Sequence, residues 1–145
     1  MKLIIDQSLE NKELEITIKC NLIDPKLEKL ISQIRLYFFS IVGRKDGESF
    51  PIQLEDVYYF ESIDDKTFTY CEKTVYECDL KLYELENQLG DTSFIRISKS
   101  CILNTLKLKS VKALLNGKME ASLLNGEKQI INRHYVKAIK RKLNI

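Results

Sequence analysis

Two Asn-Gly pairs, at 116–117 and 125–126, sit between apolar runs in the stretch LKLKSVKALLNGKMEASLLNGEKQIIN. A tight hairpin turn needs positive φ, which Asn and Gly adopt at little cost, and its twist matches that of the strands it joins. The stretch therefore predicts a three-stranded antiparallel meander. Asn132 follows as a candidate N-cap, and Val136, Ile139 and Leu143 recur at helical spacing, so the meander is expected to run into a short C-terminal helix.

The rest of the chain is read outward from that meander. Residues 13–20, ELEITIKC, alternate strictly, with Leu14, Ile16, Ile18 and Cys20 on one side and Glu13, Glu15, Thr17 and Lys19 on the other, which predicts a half-buried strand. Asp24-Pro25 then opens a helix carrying Leu27, Leu30, Ile31 and Ile34 to about residue 37. From Phe38 the period becomes two. A hairpin is expected around Asp46-Gly47, followed by the strand DVYYFESI, a polar loop at Asp64-Asp65-Lys66 and a second hairpin near Glu72-Lys73. Asp79 is placed to cap a short helix bearing Leu82, Leu85 and Leu89, which stops at Gly90. SFIRISKSCILN continues as a strand and an irregular piece with two serines.

A chain of 145 residues with 44% hydrophobic side chains supports one domain with, at most, a small extension. No apolar run reaches membrane length, and acids follow only three apolar residues at the N-terminus, so no signal peptide is read and the expected location is cytoplasmic. Cysteines at 20, 71, 78 and 101 form no CxxC pair and are read as reduced thiols rather than zinc ligands; no metal or cofactor is expected. GxSxG, Walker, GxGxxG and HExxH patterns are missing, and His134, the one histidine, lacks an orienting carboxylate nearby in sequence, so catalysis is not expected.

The net charge of +2 conceals a division. Residues 1–91 carry 11 Lys and Arg against 19 Asp and Glu, a balance of −8, whereas residues 92–145 carry 12 against 2, a balance of +10. A concentrated positive half is the footprint of a polyanion binder. On the last helix, His134, Lys137 and Arg141 form a stripe opposite the apolar one, and Arg133 and His134 occupy the first turn, where free N–H groups also favour phosphate. Lys140, Arg141 and Lys142 alone would be explained by the negative helix end. A second cluster, Arg96, Ser98, Lys99 and Ser100, lies where a strand breaks into a loop; ordinary turn chemistry would account for the two serines.

These stretches resemble a known family. LEDVYYFES, FIRISKSCILN and NGEKQIINRHYVKAIK are similar, in order and spacing, to segments of the LytTR (LytR/AlgR-type) bacterial DNA-binding domain, whose patterns include F-x-R-x-H-[RK]-S…N and a closing N-G…[SN]-R-x-Y-[LV]-K. The resemblance runs from about Phe38 to the C-terminus, giving an expected division into a β-α extension at 1–37 and a LytTR-like domain at 38–145. It implies a mainly β fold (α+β overall), an elongated stack of antiparallel sheets with short helices, in which loops and the start of the last helix enter major grooves. Carried over by position, the expected DNA contacts are Lys66 and Thr67 after FES, then Arg96, Ser98, Lys99 and Ser100, then Arg133, His134 and Lys137. Ser98 stands where the family commonly has His, and His134 is taken to stand where a base-reading Arg is common. A neutral imidazole offers one donor and one acceptor, so the family's base preference does not transfer.

The resulting expectation is a bacterial transcription regulator binding double-stranded DNA at paired repeat sites as two copies. Residues 1–37 resemble no receiver domain, and this extension, which lies in the half of the chain with the acidic balance, is expected to be a dimerisation or partner surface that stays off DNA. The alternative is a protein-interaction module of the same fold that acts through its acidic half without DNA. A single-strand binder would interleave aromatics with its basic residues, yet only Phe94 and Tyr135 fall in the basic half.

Overall fold

A computed structural model describes residues 1–145. The first helix, α1 (Pro25–Tyr37), starts as its sequence dictates: the Asp24 carboxylate accepts the Leu27 N–H at 2.8 Å, and Pro25 occupies the first turn. Ten strands follow, interrupted by one helix and closed by another. β1 (Ser40–Lys45) and β2 (Glu48–Gln53) form a hairpin through Asp46 and Gly47, with φ of 53° and 77°. β3 (Tyr59–Ile63), β4 (Lys66–Tyr70) and β5 (Val75–Cys78) precede α2 (Leu82–Leu89). β6 (Phe94–Ser98) and β7 (Cys101–Asn104) lead to the meander β8 (Leu108–Ala113), β9 (Met119–Leu123) and β10 (Lys128–Ile131), and α3 (Arg133–Leu143) ends the chain. No helix is long and apolar enough to cross a membrane.

All strand pairings are antiparallel. The first seven strands make one sheet in the order β2-β1-β5-β4-β3-β7-β6, and the last three make a second in the order β10-β9-β8. The larger sheet is buried on both faces near its centre, so its strands there read as runs rather than alternations. In β3 and β7, Phe60 and Ile102 face one core with Leu36, Leu54, Leu82, Leu85 and Leu89, supplied by α1, the chain after β2, and α2. Tyr59, Cys101 and Leu103 face the other, with Met119, Ala121, Leu123, Ile131 and Ile139 from the second sheet and α3. Each strand thus serves two cores by its period of two.

One polar side chain ties these layers together. Asn104, fully buried, donates through Nδ2 to the Val57 carbonyl (2.7 Å), while its Oδ1 accepts from the Ser93 hydroxyl (2.7 Å) and the Leu106 N–H (3.1 Å). Its backbone N–H donates to the Tyr58 carbonyl at 2.9 Å. In this way the entry to β3, the entry to β6 and the exit from β7 are held by a single amide.

Several expectations are corrected. Residues 13–20 form no strand: Leu14, Ile16 and Ile18 are 75%, 52% and 40% exposed, because the segment has no neighbouring strand in either sheet. Asp79 does not cap α2; its carboxylate takes the Arg44 guanidinium at 2.6 Å, and the α2 cap position is Lys81, whose N–H donates to Glu84 at 3.2 Å. Asp64 and Asp65 are no open loop but a two-residue turn, with φ of 50° and 63°, flanked by the pair Ile63 and Lys66. Asn132 sits at the N-cap of α3 without a side-chain cap bond.

Replacing Asn104 with Ala strands the buried Val57 carbonyl, the Leu106 N–H and the Ser93 hydroxyl. The expected loss is about 3 kcal/mol of folding stability. A urea melt would register this as a lower midpoint at an unchanged slope.

Candidate functional site

Three short pieces of chain, distant in sequence, meet at one end of the larger sheet. The β3–β4 turn is the first. Its neighbour is the β6–β7 loop, since the Ser62 N–H at the end of β3 donates to the Ser100 carbonyl at 2.8 Å. The start of α3 is the third, where the Asn132 N–H donates to the Ile97 carbonyl at 2.9 Å, one residue before the loop serine Ser98. Asn132 thus uses its backbone to dock the helix start onto β6 instead of capping with its side chain.

Each piece is stiffened locally. The Lys81 ammonium donates to the Asp65 carbonyl at 2.6 Å and braces the β3–β4 turn from the α2 side. In the β6–β7 loop, the Ser98 hydroxyl accepts the Ser100 N–H at 3.2 Å, an ST-type turn across a register shift between Arg96 and Ser98. The Arg96 guanidinium donates to the Lys99 carbonyl at 2.7 Å and reaches Glu86 of α2 at 3.3 Å. α3 is fastened by its apolar stripe, with Ile139 fully buried and Tyr135, Val136 and Leu143 packed on the second core.

The expected site residues then separate. Lys66, Lys99, Ser100, Arg133, His134 and Lys137 are exposed, and Ser98 is half-buried in the same loop. Thr67 is 2% exposed inside the sheet and presents no side chain outward, because the tight turn ends one residue earlier, at Lys66. Arg96, with its side chain 17% exposed, is committed to Glu86 and the Lys99 carbonyl, so it shapes the loop instead of facing outward. The pattern N-R-x-Y places its arginine on Arg133, one position before His134, so the guanidinium at the helix start belongs to Arg133.

The basic half also divides into tied and free cations. Lys112 and Lys128 flank the half-buried Glu120, at 3.2 and 3.8 Å, and Lys107 lies 5.2 Å over the Tyr58 ring. Lys142 is partly buried, which lowers its pKa, while Asp91 and Glu28 pull the other way. By contrast Lys66, Lys99, Arg133 and Lys137 make no ion pair and are left available. Lys109, Lys118, Lys140 and Arg141 are unpaired as well, and the exposed Asp64 and Asp65 carboxylates lie in the β3–β4 turn beside Lys66.

One contributor escaped the sequence reading. The β8–β9 turn at Asn116-Gly117 lies beneath Arg133, so that a Cβ on Gly117 would stand 3.1 and 3.3 Å from Arg133 Cδ and Cγ. The Asn-Gly pair was legible as a hairpin; its second duty, as a bed for Arg133, depends on where α3 docks. The exposed Lys118 follows in the same turn.

No three of the His, Cys, Asp and Glu side chains come together as metal ligands. All four cysteines are free; burial pushes the Cys101 thiol up to about 12 and also raises Cys71 and Cys78, so these three are poor thiolates.

Residues 47–144 match the family model of the LytTr DNA-binding domain. The chain is 32% identical over 108 residues to the sensory transduction protein LytT of Enterococcus faecalis, covering 68% of this chain and 45% of that protein, so it spans under half the length of that relative. It is 34% identical over 106 residues to an HTH-type transcriptional regulator of Staphylococcus aureus, covering 73% and 71%. Its fold is similar to that of a LytTr DNA-binding domain from Bacillus cereus, with a TM-score of 0.69 at 24% identity over 73% of this chain and 97% of that one.

Gly117→Ala is expected to cost about 1 kcal/mol, since φ there is +75° and the new methyl meets Arg133. Denaturant unfolding of the variant would measure this.

Proposed function

The chain belongs to the LytTR family of DNA-binding domains, and from that premise we propose that it is a sequence-specific, double-stranded-DNA-binding regulator of transcription. The observation carrying this reading is the convergence of the β3–β4 turn, the β6–β7 loop and the α3 start, each bearing at least one cation that makes no ion pair. Three separate points of contact on one rigid end suit loops and a helix start entering successive major grooves of a duplex.

Within that reading, Lys66, Lys99, Arg133 and Lys137 supply the phosphate contacts, which hold the protein in register without reading sequence. The N–H groups at the start of α3 add a polar surface for the same anion. His134, Lys99 and Ser98 stand nearest to base edges, and His134 can both donate and accept there. Arg96 acts as a positioning residue: it fixes the carbonyl of Lys99 and with it the direction in which that side chain leaves the loop. Two copies act together on paired repeat sites, and residues 1–37, which carry no excess of positive charge, stay away from the polyanion.

The salt dependence of duplex binding, followed by fluorescence anisotropy, tests the reading. The logarithm of affinity should fall steeply and linearly with the logarithm of salt, and Lys99→Ala should shallow the slope by about one unit. Arg96→Ala should weaken binding while leaving the slope as it was, because no phosphate contact is removed. A flat salt response would leave the rival reading, a protein-interaction module working through the acidic half.

His134→Ala separates reading from holding. Its loss of affinity for the best site should exceed its loss for random duplex by about tenfold or more, the range of one good base contact. Equal losses would assign His134 to the phosphates.

A further inference from the structure

The N-terminal segment 13–20 remains outside everything described so far. It alternates as a strand should, yet it stands unpaired with Leu14, Ile16 and Ile18 in solvent. Its own chain offers poor edges for it. β2 carries Pro51, which has no N–H to give; β6 is bulged between Arg96 and Ser98; β8 bears exposed Lys109 and Lys112; and β10 is only 4 residues long, with the exposed Lys128 at its start.

The order of charges within the segment points to another partner. Placed antiparallel against a second copy and centred on Ile16, the segment sets Glu13 opposite Lys19, Leu14 opposite Ile18, Glu15 opposite Thr17 and Ile16 opposite itself. Both Glu13–Lys19 pairs are then complementary, and the apolar side chains fall on one face. A parallel in-register pairing would instead oppose Glu13 to Glu13 and Lys19 to Lys19. Only the antiparallel arrangement satisfies charge and apolar face together, and it is the isologous, self-closing kind.

We infer that residues 13–20 form a two-stranded antiparallel ribbon with a second copy of this chain, centred on Ile16. A ribbon alone is marginal in water, so its apolar face needs a cover. The helix that follows supplies one. Only four residues separate Cys20 from α1, and Leu30 of α1 is 43% exposed, with Ile31 and Ile34 only partly covered. The two α1 helices, one from each copy, close over the ribbon and leave the DNA-facing ends of both domains free. This deepens the two-copy reading above and rests on it only for its purpose, because the oligomeric state is measured without DNA and either can fail alone.

The test is light scattering after size exclusion on the full chain over a range of concentrations. The wild type is expected to run as a dimer and Ile16→Asp as a monomer. Glu13→Lys alone, or Lys19→Glu alone, opposes like charges twice in each dimer and should raise the dissociation constant about tenfold. The double exchange Glu13→Lys/Lys19→Glu should restore it. All three side chains are exposed and belong to neither core, so thermal melts of the domain should be alike; should Ile16→Asp fail to fold, the exchange series decides. A wild type that stays monomeric at the highest soluble concentration, a dimer indifferent to Ile16→Asp, or a double exchange no better than the singles would each overturn the inference.

Discussion

The amide of Asn104 is the point on which the two-core architecture turns. It satisfies the Val57 carbonyl and the Ser93 hydroxyl, both in buried residues, and the N–H of the half-buried Leu106. Buried polar groups without partners cost more than a made hydrogen bond returns, so this cluster is stable only when complete. Its completeness sets where β3 begins and where β7 ends. Those two strands carry Phe60 and Ile102 into one core and Tyr59, Cys101 and Leu103 into the other. A shift of one residue in either would exchange the faces and empty both cores at once.

The candidate interface depends on that register more than on its own residues. Ser62 reaches Ser100, and Asn132 reaches Ile97, only because β3 and β7 are paired as they are and β6 follows at the edge. Backbone bonds place the three elements, so the side chains between them remain free for a ligand. Charge follows the same division of labour. Glu86 and Glu120 are spent on Arg96, Lys112 and Lys128, which are structural cations, while Lys66, Lys99, Arg133 and Lys137 keep their charge unshared.

Where the sequence was legible, a local rule was in force. The three-stranded meander, the Asp46-Gly47 hairpin, the Asp24 cap and the apolar stripe of α3 each follow from neighbours a few residues apart. Where it misled, a distant partner intervened. Asp79 read as the cap of α2, but the helix begins later, with Lys81 at the cap position, and Asp79 pairs instead with Arg44 of β1. Arg96 read as a free cation until α2 placed Glu86 beside it. Thr67 lies one residue from an exposed lysine, and the pleat alone turns it inward. Residues 13–20 have the pattern of a strand and lack a partner within the chain, and no strand forms without one.

The amino-acid sequence by itself determined the periods, the turns, the uneven charge and the family, because each is written in contiguous residues and needs only local physical chemistry to be read. Only the tertiary structure decided which cations face outward and that a turn, a loop and a helix start share one end of the sheet. Those outcomes depend on pairings between residues such as Asn104 and Val57, 47 positions apart, whose energies no local rule contains.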